Sequence, residues 1–403
     1  MRILQVLHDV PFPPRGGGRV DMWGRLRALT SLGHEVDVLI ALRGQLEPQA
    51  RNTISKYARN VLLCPRIPMW KGLFGTTPCQ VMARLLLKTV SLDSQYDIAL
   101  LEGDAVGAVL ANPTLRCNLR VLRTHNNEAR YHEERGRIAA SPAQVRAYDW
   151  IEARRYRRYS ARLMEQCDAV WWVSLDEMAE ASTNLELARK SGWLPHFHDV
   201  AQRHPFVQRR DCRVLFVGAL SSSQNIEAID WYLTYVHPRL KEIPDYRFVV
   251  AGGTDGRPLS RSLTRLKEDA QCVLLSDVPD LRPVYAESRV FVNPVQHGAG
   301  INSKTIHAVS EGLPVVTTTA GYRGTGLEPN RHLFVADHAE TFSSSIRDIL
   351  EERVDVKAMV EQSQAFLSRS YDQTACLREL LKSLVGKRDA RSNDDATLPV
   401  STP

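Results

Sequence analysis

Short apolar runs, each long enough for one buried strand, recur through the first half of the chain and alternate with loop or helical segments. The first two runs flank residues 19–32, where apolar residues such as Trp23 and Leu26 recur at helical spacing. Gly33 then supplies a helix stop. Strand–helix–strand units of this kind build parallel sheets. The predicted strands of this series are residues 2–8, 35–42, 61–64, 96–102, 119–123 and 169–174.

A second series of the same kind begins at residue 212. Its predicted strands are residues 212–220, 246–251, 272–275, 289–295, 313–318 and 332–335. A helix is predicted at 225–242, and a loop followed by a helix at 297–311. Two separate series predict an α/β protein with two doubly wound, Rossmann-like domains, each a parallel sheet with helices on both faces. The predicted boundaries are 1–190 for the first domain, 191–211 for a linker, 212–354 for the second domain, 355–386 for helices that pack back toward the first domain, and 387–403 for a disordered tail.

Composition narrows the class of protein. The chain has 403 residues, of which 43% are hydrophobic and 24% charged, as in ordinary globular proteins. No apolar stretch reaches the roughly 18 residues of a membrane-spanning helix, and the apolar start is too short for a signal peptide. The 7 cysteines are scattered without a C-x-x-C pair, which argues against a disulfide framework or a zinc site. The sequence therefore predicts a cytoplasmic protein.

Charge is distributed unevenly. Residues 1–200 hold 27 Lys and Arg against 21 Asp and Glu, whereas the remainder holds 25 of each. Arginines and aromatic residues are interleaved over 128–162, and residues 68–88 combine Trp70, Phe74 and several leucines with Lys71, Arg84 and Lys88. These features favour an anionic partner, either a phosphorylated acceptor or an anionic membrane surface. Solvated helix faces are the alternative reading, and no motif supports nucleic-acid binding.

Three loops after predicted strands carry candidate chemistry. The first contains Gly16, Gly17 and Gly18 and opens a helix, so its backbone N–H groups can turn toward an anion; an ordinary Gly/Pro turn is the alternative. The second follows strand 119–123, and its polar residues lie where doubly wound sheets bind ligands. They are His125, Asn126, Asn127 and Glu128.

The third loop spans residues 297–307. Gly298 and Gly300 permit a tight turn, and Asn302 or Ser303 can cap the next helix and leave its N–H groups open to a phosphate. Lys304 adds a positive charge on the first turn, and helical spacing places His307 on the same face. Neither a G-x-G-x-x-G nor a P-loop motif occurs.

Taken in this order, the three pieces resemble the retaining GT-B glycosyltransferases of glycosyltransferase family 4, the glycosyl transferases group 1, over nearly the whole chain. The glycine loop resembles the family's proline-rich, double-glycine loop, and His125 matches the histidine that the family uses near the donor sugar. The segment from Asn293 to Val316 resembles the nucleotide-sugar signature. The resemblance implies two domains facing across a cleft and metal-independent, retaining transfer of a sugar from a nucleoside-diphosphate donor, with no cofactor.

The sequence departs from the family at several positions. The two signature glutamates fall on Ala299 and His307, and the phosphate-binding Arg and Lys fall on Ala219 and Gln224. Lys304 can replace the missing charge, with Arg15, Arg19 and Arg323 as weaker candidates. A catalytically silent subunit that binds nucleotide sugars as a scaffold is therefore the alternative reading.

The resemblance also implies roles for the candidate residues. His125 is the predicted catalytic residue, which orients the sugar. The predicted donor-binding residues are Gly16, Gly17, Gly18, Gly300, Ile301, Asn302, Ser303, Lys304 and His307, and the predicted acceptor-side residues are Arg19, Asn126, Asn127 and Glu128. The expected acceptor is a saccharide or lipid-linked hydroxyl in bacterial polysaccharide, lipopolysaccharide or glycolipid assembly, at the inner face of the cell membrane.

Overall fold

The computed structural model describes residues 1–14, 16–137, 142–199, 203–209, 211–297 and 300–396. A seven-stranded parallel sheet forms from the first half of the chain, with the order β3-β2-β1-β4-β5-β6-β7. Its strands are β1 (Arg2–Leu7), β2 (Glu35–Leu42), β3 (Asn60–Pro65), β4 (Gln95–Glu102), β5 (Arg116–Arg123), β6 (Ala169–Trp172) and β7 (Ser191–Trp193).

Helices cover both faces of this sheet. They are α1 (Gly17–Ser31), α2 (Pro48–Ile54), α3 (Cys79–Met82), α4 (Glu128–Gly136), α5 (Ala143–Glu165), α6 (Leu175–Ala181) and α7 (Leu185–Lys190). Alternate residues of β1 enter two different cores: Ile3 packs with Leu26 of α1, whereas Leu4 packs with Val106 and Leu163 on the other face. Burial on both faces explains why these strands read as continuous apolar runs in the sequence.

A six-stranded parallel sheet forms from the second half, with the order β10-β9-β8-β11-β12-β13. Its strands are β8 (Arg213–Val217), β9 (Arg247–Gly252), β10 (Cys272–Ser276), β11 (Val290–Asn293), β12 (Val315–Thr317) and β13 (Phe334–Val335). The helices are α8 (Ser223–Trp231), α9 (Arg261–Leu266), α10 (Arg282–Ala286), α11 (Ser303–Ser310), α12 (Thr319–Tyr322), α13 (Ala339–Leu350), α14 (Lys357–Ser370) and α15 (Gln373–Ala396). The two sheets confirm the predicted pair of doubly wound α/β domains.

The C-terminal helices connect to both domains. Leu367 of α14 packs in the second domain, whereas Leu377 and Leu381 of α15 pack in the core of the first, beside α1. Two details differ from the sequence expectation. Strand β7 lies inside the segment 191–211 predicted as a linker, and α15 is helical to Ala396 within the predicted tail 387–403. Among the described residues, no helix is both long enough and apolar enough to cross a membrane.

Strand order locates where a ligand can bind. In the first sheet the order reverses between β1 and β4, and in the second between β8 and β11. Loops leaving the carboxyl ends of such neighbouring strands diverge to opposite faces and leave a crevice, which is where open α/β sheets bind ligands. The glycine loop follows β1, and the loop containing Gly300 follows β11. Both therefore start at these two crevices.

Candidate active site between the two domains

A cavity of about 450 Å³ is lined by residues of both domains. The structure brings together all three loops that the sequence singled out. The residues of these loops that line the cavity are Gly17, Gly18, His125, Asn126, Glu128, Ile301 and Ser303. Three residues that the sequence singled out lie outside the described residues. They are Arg15, a weaker candidate for the positive charge at the diphosphate, and Gly298 and Ala299 of the third loop.

A residue of the segment that links the two domains holds the glycine loop in place. Gly16 has a φ of +83°, a conformation that favours glycine because it has no Cβ, and it precedes the first residue of α1. His196 lies between the two domains in sequence, and its Nε2 is 2.9 Å from the carbonyl oxygen of Gly17. The turn is thus held in place at the point where it meets the cavity.

The second and third loops touch each other across the domain boundary. Gly300 has a φ of +77°, and a Cβ at this position would lie 2.2 Å from Oδ1 of Asn126. On the first-domain side, the Glu177 carboxylate accepts from the backbone N–H of Asn127 at 3.2 Å. Only a glycine fits the contact with Asn126 without displacement, so Gly300 allows the two domains to close on each other.

His125 rests on a buried cluster of charges. Its Nε2 lies 3.2 Å from Oε2 of Glu102, and its Nδ1 lies 3.8 Å from Oδ2 of Asp21. Arg25 donates to Glu102 at 2.6 Å, and Arg123 lies 3.1 Å from Asp21. Burial alone would raise the pKa of Glu102, but Arg25 and His125 outweigh burial and lower it to about 2. The carboxylate therefore stays ionised and fixes the orientation of the imidazole ring.

His125, Glu102 and Asp21 are close enough together to share a metal ion. Each carboxylate already has a guanidinium partner, Arg25 or Arg123, so the positive charge that a cation would bring is present in the protein. Placing a divalent ion beside two buried guanidinium groups would cost electrostatic energy. The donor set does not fit a metal, and the cluster instead positions His125.

His8, at the end of β1, presents a hydrogen-bond acceptor near the glycine loop. Burial, followed by His125 and Arg84, lowers the pKa of His8 to about 3, so the ring is neutral at physiological pH. Its Nδ1 lies 3.0 Å from the carbonyl oxygen of Glu102. A carbonyl only accepts, so the proton is on Nδ1 and Nε2 is left as an acceptor. A Cβ on Gly18 would lie 3.5 Å from this Nε2.

Lys304 is a largely buried cation beside the loop that follows β8. Its Nζ donates to Oδ1 of Asn225 at 2.5 Å and lies 5.2 Å from the centre of the Phe216 ring. None of the ion pairs among the described residues involves Lys304. Burial lowers its pKa to about 8, so the ammonium group is protonated at neutral pH but held in an unfavourable environment. An anion at this position would remove that cost.

His307 contacts a different part of the second domain. Its ring packs edge-on against Tyr285 at 5.0 Å, its Nε2 lies 3.5 Å from Oε1 of Glu311, and 46% of its side chain is exposed. Burial lowers the pKa of His307, and His204 lowers it further. Asn302 begins α11 but does not cap it, because its side chain donates to the carbonyl of Ala320 at 2.8 Å. Asn302 therefore occupies the predicted N-cap position, but its side chain makes no capping hydrogen bond.

The predicted acceptor-side residues separate into two groups. Asn126 and Glu128 line the cavity, and burial together with the Asp104 carboxylate raises the pKa of Glu128 to about 8. Asn127 instead caps α4 by accepting from the N–H of Arg130. Arg19 forms an ion pair with Asp9 at 2.9 Å. An adjoining cavity of about 550 Å³ also contains Asn126 and Glu128 in its wall.

Sequence reasoning missed the buried cluster under His125. Asp21 and Arg25 are one helical turn apart on α1, and a charge pair among apolar residues of that helix was a signal that could have been read. Glu102 ends a predicted strand, which was a second signal. That these residues converge on His125 depends on the tertiary fold.

Sequence comparisons identify a matching family model and a relative of similar length. Residues 211–352 match the family model described as Glycosyl transferases group 1. The chain is also 28% identical over 395 residues to the "Uncharacterized 44.6 kDa protein in cps region" of Klebsiella pneumoniae, a match that covers 94% of this chain and 99% of that protein.

Solved structures share the two-domain architecture at low sequence identity. Sucrose-phosphate synthase from Thermosynechococcus elongatus superposes with a TM-score of 0.68 at 16% identity, over 98% of this chain and 100% of that one. HepE of Anabaena, in complex with UDP and glucose, gives 0.63 at 14% identity, over 96% of this chain and 100% of that one. The lipopolysaccharide outer core galactosyltransferase WaaB, in its apo form, gives a TM-score of 0.61 at 12% identity, over 95% of this chain and 99% of that one. The chain thus has the GT-B fold of these glycosyltransferases, and its residues 211–352 form a domain of the glycosyl transferases group 1 type.

Proposed function

We propose that this protein transfers a sugar from a nucleoside-diphosphate donor to an acceptor hydroxyl, with retention at the anomeric carbon. The observation that carries this proposal is the convergence of Gly18, His125 and Ser303 on one interdomain cavity, with the Lys304 ammonium group close behind the same loop. The glycosyl transferases group 1 match over residues 211–352 supports it. So do the names of neighbours with this fold, one of which binds UDP and glucose.

The second domain supplies the diphosphate site in this mechanism. The diphosphate lies at the start of α11, where the N–H groups of residues 301–304 and the helix dipole favour negative charge. Lys304 adds a full positive charge in place of the missing loop cations. The acceptor oxygen bonds to the anomeric carbon on the face from which the diphosphate departs, and the bond from that carbon to the diphosphate breaks. Negative charge develops on the leaving group, and one of its phosphate oxygens takes the proton of the acceptor hydroxyl. Donors already in place stabilise that charge most in the transition state.

The first domain holds the sugar. His125, fixed by Glu102, and the loop containing Asn126 position the donor sugar against the glycine loop. The unprotonated Nε2 of His8 accepts a hydrogen bond from a sugar hydroxyl. His307 contacts the ribose in place of the second signature glutamate. No protein nucleophile takes part. The reaction needs no metal because Lys304 supplies the positive charge at the diphosphate.

The acceptor in our proposal belongs to bacterial polysaccharide, lipopolysaccharide or glycolipid assembly. The Klebsiella pneumoniae relative whose name places it in a cps region supports this assignment, as does the fold shared with a lipopolysaccharide galactosyltransferase.

We also propose that the protein works in the cytoplasm, docked on the anionic inner face of the cell membrane. An apolar tip formed by Trp70, Leu73 and Phe74 supports this docking, since Phe74 is 100% and Trp70 65% exposed. Arg155 of α5 anchors the tip by donating to the Leu73 carbonyl at 2.7 Å. The neighbouring face of α5 exposes Trp150 and Ile151 together with Arg154, Arg158 and Arg162. Apolar side chains next to arginines are the combination that anionic lipid surfaces bind.

Turnover with a panel of nucleotide sugars tests the proposed activity. Purified protein is mixed with each sugar and an acceptor panel, in the presence and absence of a chelator, and the released nucleoside diphosphate is measured. We expect hydrolysis or transfer with at least one donor, unaffected by chelator, and an unchanged anomeric configuration in the product by NMR. A protein that one nucleotide sugar stabilises thermally, with no turnover, is a scaffold subunit instead, and this outcome overturns the proposal.

A further inference from the structure

The wall that the first domain contributes to the interdomain cavity contains buried arginines. Arg84, which follows α3, lines the cavity although only 3% of it is exposed. Arg66, which follows β3, lines it as well, and 11% of its side chain is exposed. The sequence groups Arg84 with the basic residues of segment 68–88, for which it predicts an anionic partner, either a phosphorylated acceptor or a membrane surface. The structure turns the Arg84 side chain inward to the cavity, so Arg84 does not belong to a basic surface that faces a membrane.

Among the residues that the structure describes, the hydrogen-bond partners of Arg84 are all neutral. Its Nε and Nη2 donate to the His8 carbonyl at 3.0 and 2.8 Å, and its Nη1 donates to the backbone and side-chain oxygens of Gln80, both at 2.8 Å. Within the described part of the chain, no ion pair includes Arg84. Burial lowers its pKa to about 10, so the guanidinium group still carries its charge at neutral pH.

The Asp9 carboxylate in the cavity wall is shared between two other arginines. Asp9 lies 3.3 Å from Arg66 and 2.9 Å from Arg19. Of the other acids in the cavity wall, Glu128 is mostly protonated at neutral pH, because burial with Asp104 raises its pKa to about 8, whereas Asp104, whose pKa burial raises to about 6, is mostly ionised. Around neutral pH, the two guanidinium groups therefore share the cavity wall with two ionised carboxylates, neither of which forms an ion pair with Arg84 within the described part of the chain.

A buried cation without a counter-ion is costly, and proteins usually pair such a group. The cavity beside Arg84 has room for a ligand, and two guanidinium groups suit the planar, multiply accepting oxygens of a carboxylate or phosphate. The donor diphosphate is assigned to Lys304 in the second domain, which leaves the first-domain arginines for the other substrate. We propose that Arg84 and Arg66 bind an anionic group, either carboxylate or phosphate, on the acceptor sugar.

This inference rests on the proposed function, since it assumes that the cavity receives an acceptor. It makes the substrate class more specific: the acceptor residue is a uronic acid or a phosphorylated sugar. Residues 79–84 run from the base of the apolar tip to the cavity, with Cys79 held by Glu152 of α5 at 2.8 Å. An acceptor presented at a membrane would therefore reach Arg84 from that side.

Ligand-observed NMR titration tests the proposal without requiring turnover. The probes are methyl glucuronide against methyl glucoside, and glucose 6-phosphate against glucose, so that carboxylate and phosphate are compared separately with a neutral partner. We expect at least one anionic probe to bind about tenfold or more tightly than its neutral partner. Arg84→Gln and Arg66→Gln should each remove that preference, whereas Arg27→Gln, an exposed arginine of α1, should retain it.

The remaining outcomes decide the proposal. Equal binding of the charged and neutral probes by the wild type overturns it. So does a preference that Lys304→Gln removes and Arg84→Gln leaves intact, since the anion is then in the diphosphate site. Arg84→Lys and a thermal melt of each variant show whether a loss reflects unfolding, because the lysine keeps the charge and should keep part of the preference. A parallel titration with the nucleoside diphosphate tests the proposed donor site independently.

Discussion

Lys304→Met should lower turnover and raise stability at the same time. The ammonium group is largely removed from water and its hydrogen bond goes to a neutral amide oxygen, Asn225. A charge placed in this way stabilises a developing anion by about 2–4 kcal/mol, the range for one preorganised group in a water-excluded site. At 1.36 kcal/mol for each tenfold change, the variant should lose about 30- to 1000-fold in kcat/KM for the donor.

The effect on stability has the opposite sign. Folding lowers the pKa of Lys304 from about 10.4 in the unfolded chain to about 8, so the folded state disfavours its charged form. The cost of this buried charge is fully present below pH 8 and disappears as the pH rises toward the unfolded pKa. A shift of this size corresponds to about 3 kcal/mol, and losing the bond to Asn225 reduces the net gain to about 1–3 kcal/mol. The melting temperature of Lys304→Met at pH 7 should exceed that of the wild type by several degrees.

Two assays on the same preparations separate these effects. Donor kcat/KM of the wild type should fall as the pH rises through about 8, because the free enzyme loses the Lys304 charge, and this decline should be absent in Lys304→Met. Lys267→Gln, an exposed lysine in the same domain, serves as the control and should change neither property. Wild-type turnover in Lys304→Met, or a melting temperature below that of the wild type at pH 7, would refute the proposal that the buried Lys304 charge binds the diphosphate.

Three further predictions follow from the same geometry. His307→Ala should raise the donor KM more than it lowers kcat, because a ribose contact persists in ground and transition states; equal KM values would show that this residue only packs against α10. Gly300→Ala should lower turnover and cost about 1–2 kcal/mol in chemical unfolding, because its φ of +77° and the Asn126 contact exclude a Cβ; an unaffected variant would contradict that contact. A Trp70→Ala/Phe74→Ala double variant should bind anionic vesicles more weakly in sedimentation assays, and wild-type binding should weaken as salt rises; salt-independent binding would argue against the arginine face.

The fold could be predicted from the sequence because buried parallel strands leave a local signal. Strands β1, β2 and β4 are mostly apolar and contribute residues to cores on both faces, since both faces of the sheet are covered. Strand β7 was missed because Ser191–Trp193 is a three-residue edge strand without an apolar run. The continuation of α15 to Ala396 was missed because that segment is polar and reads as a tail.

The candidate site could be predicted only in part. Loops after parallel strands meet at one edge of a sheet, so the sequence could place Gly18 near His125 in the first domain. That Ser303 of the second domain faces them was implied only by the resemblance to GT-B glycosyltransferases. The orientation of the His125 ring and the inward turn of Arg84 could not be predicted in this way. They depend on partners such as Glu102 and the carbonyl of His8, and which of these come into contact depends on how the helices pack on the sheet.

The central claim is that the interdomain cavity holds a nucleoside-diphosphate sugar. Its most direct test is a crystal structure of the protein with the nucleotide sugar selected by the donor panel. We expect the diphosphate within hydrogen-bonding distance of Lys304 Nζ and of the backbone N–H groups of residues 301–304, with the sugar between Gly18 and Asn126. A nucleotide bound elsewhere, for instance in the adjoining 550 Å³ cavity beside α4 and α6, would contradict this account of the site.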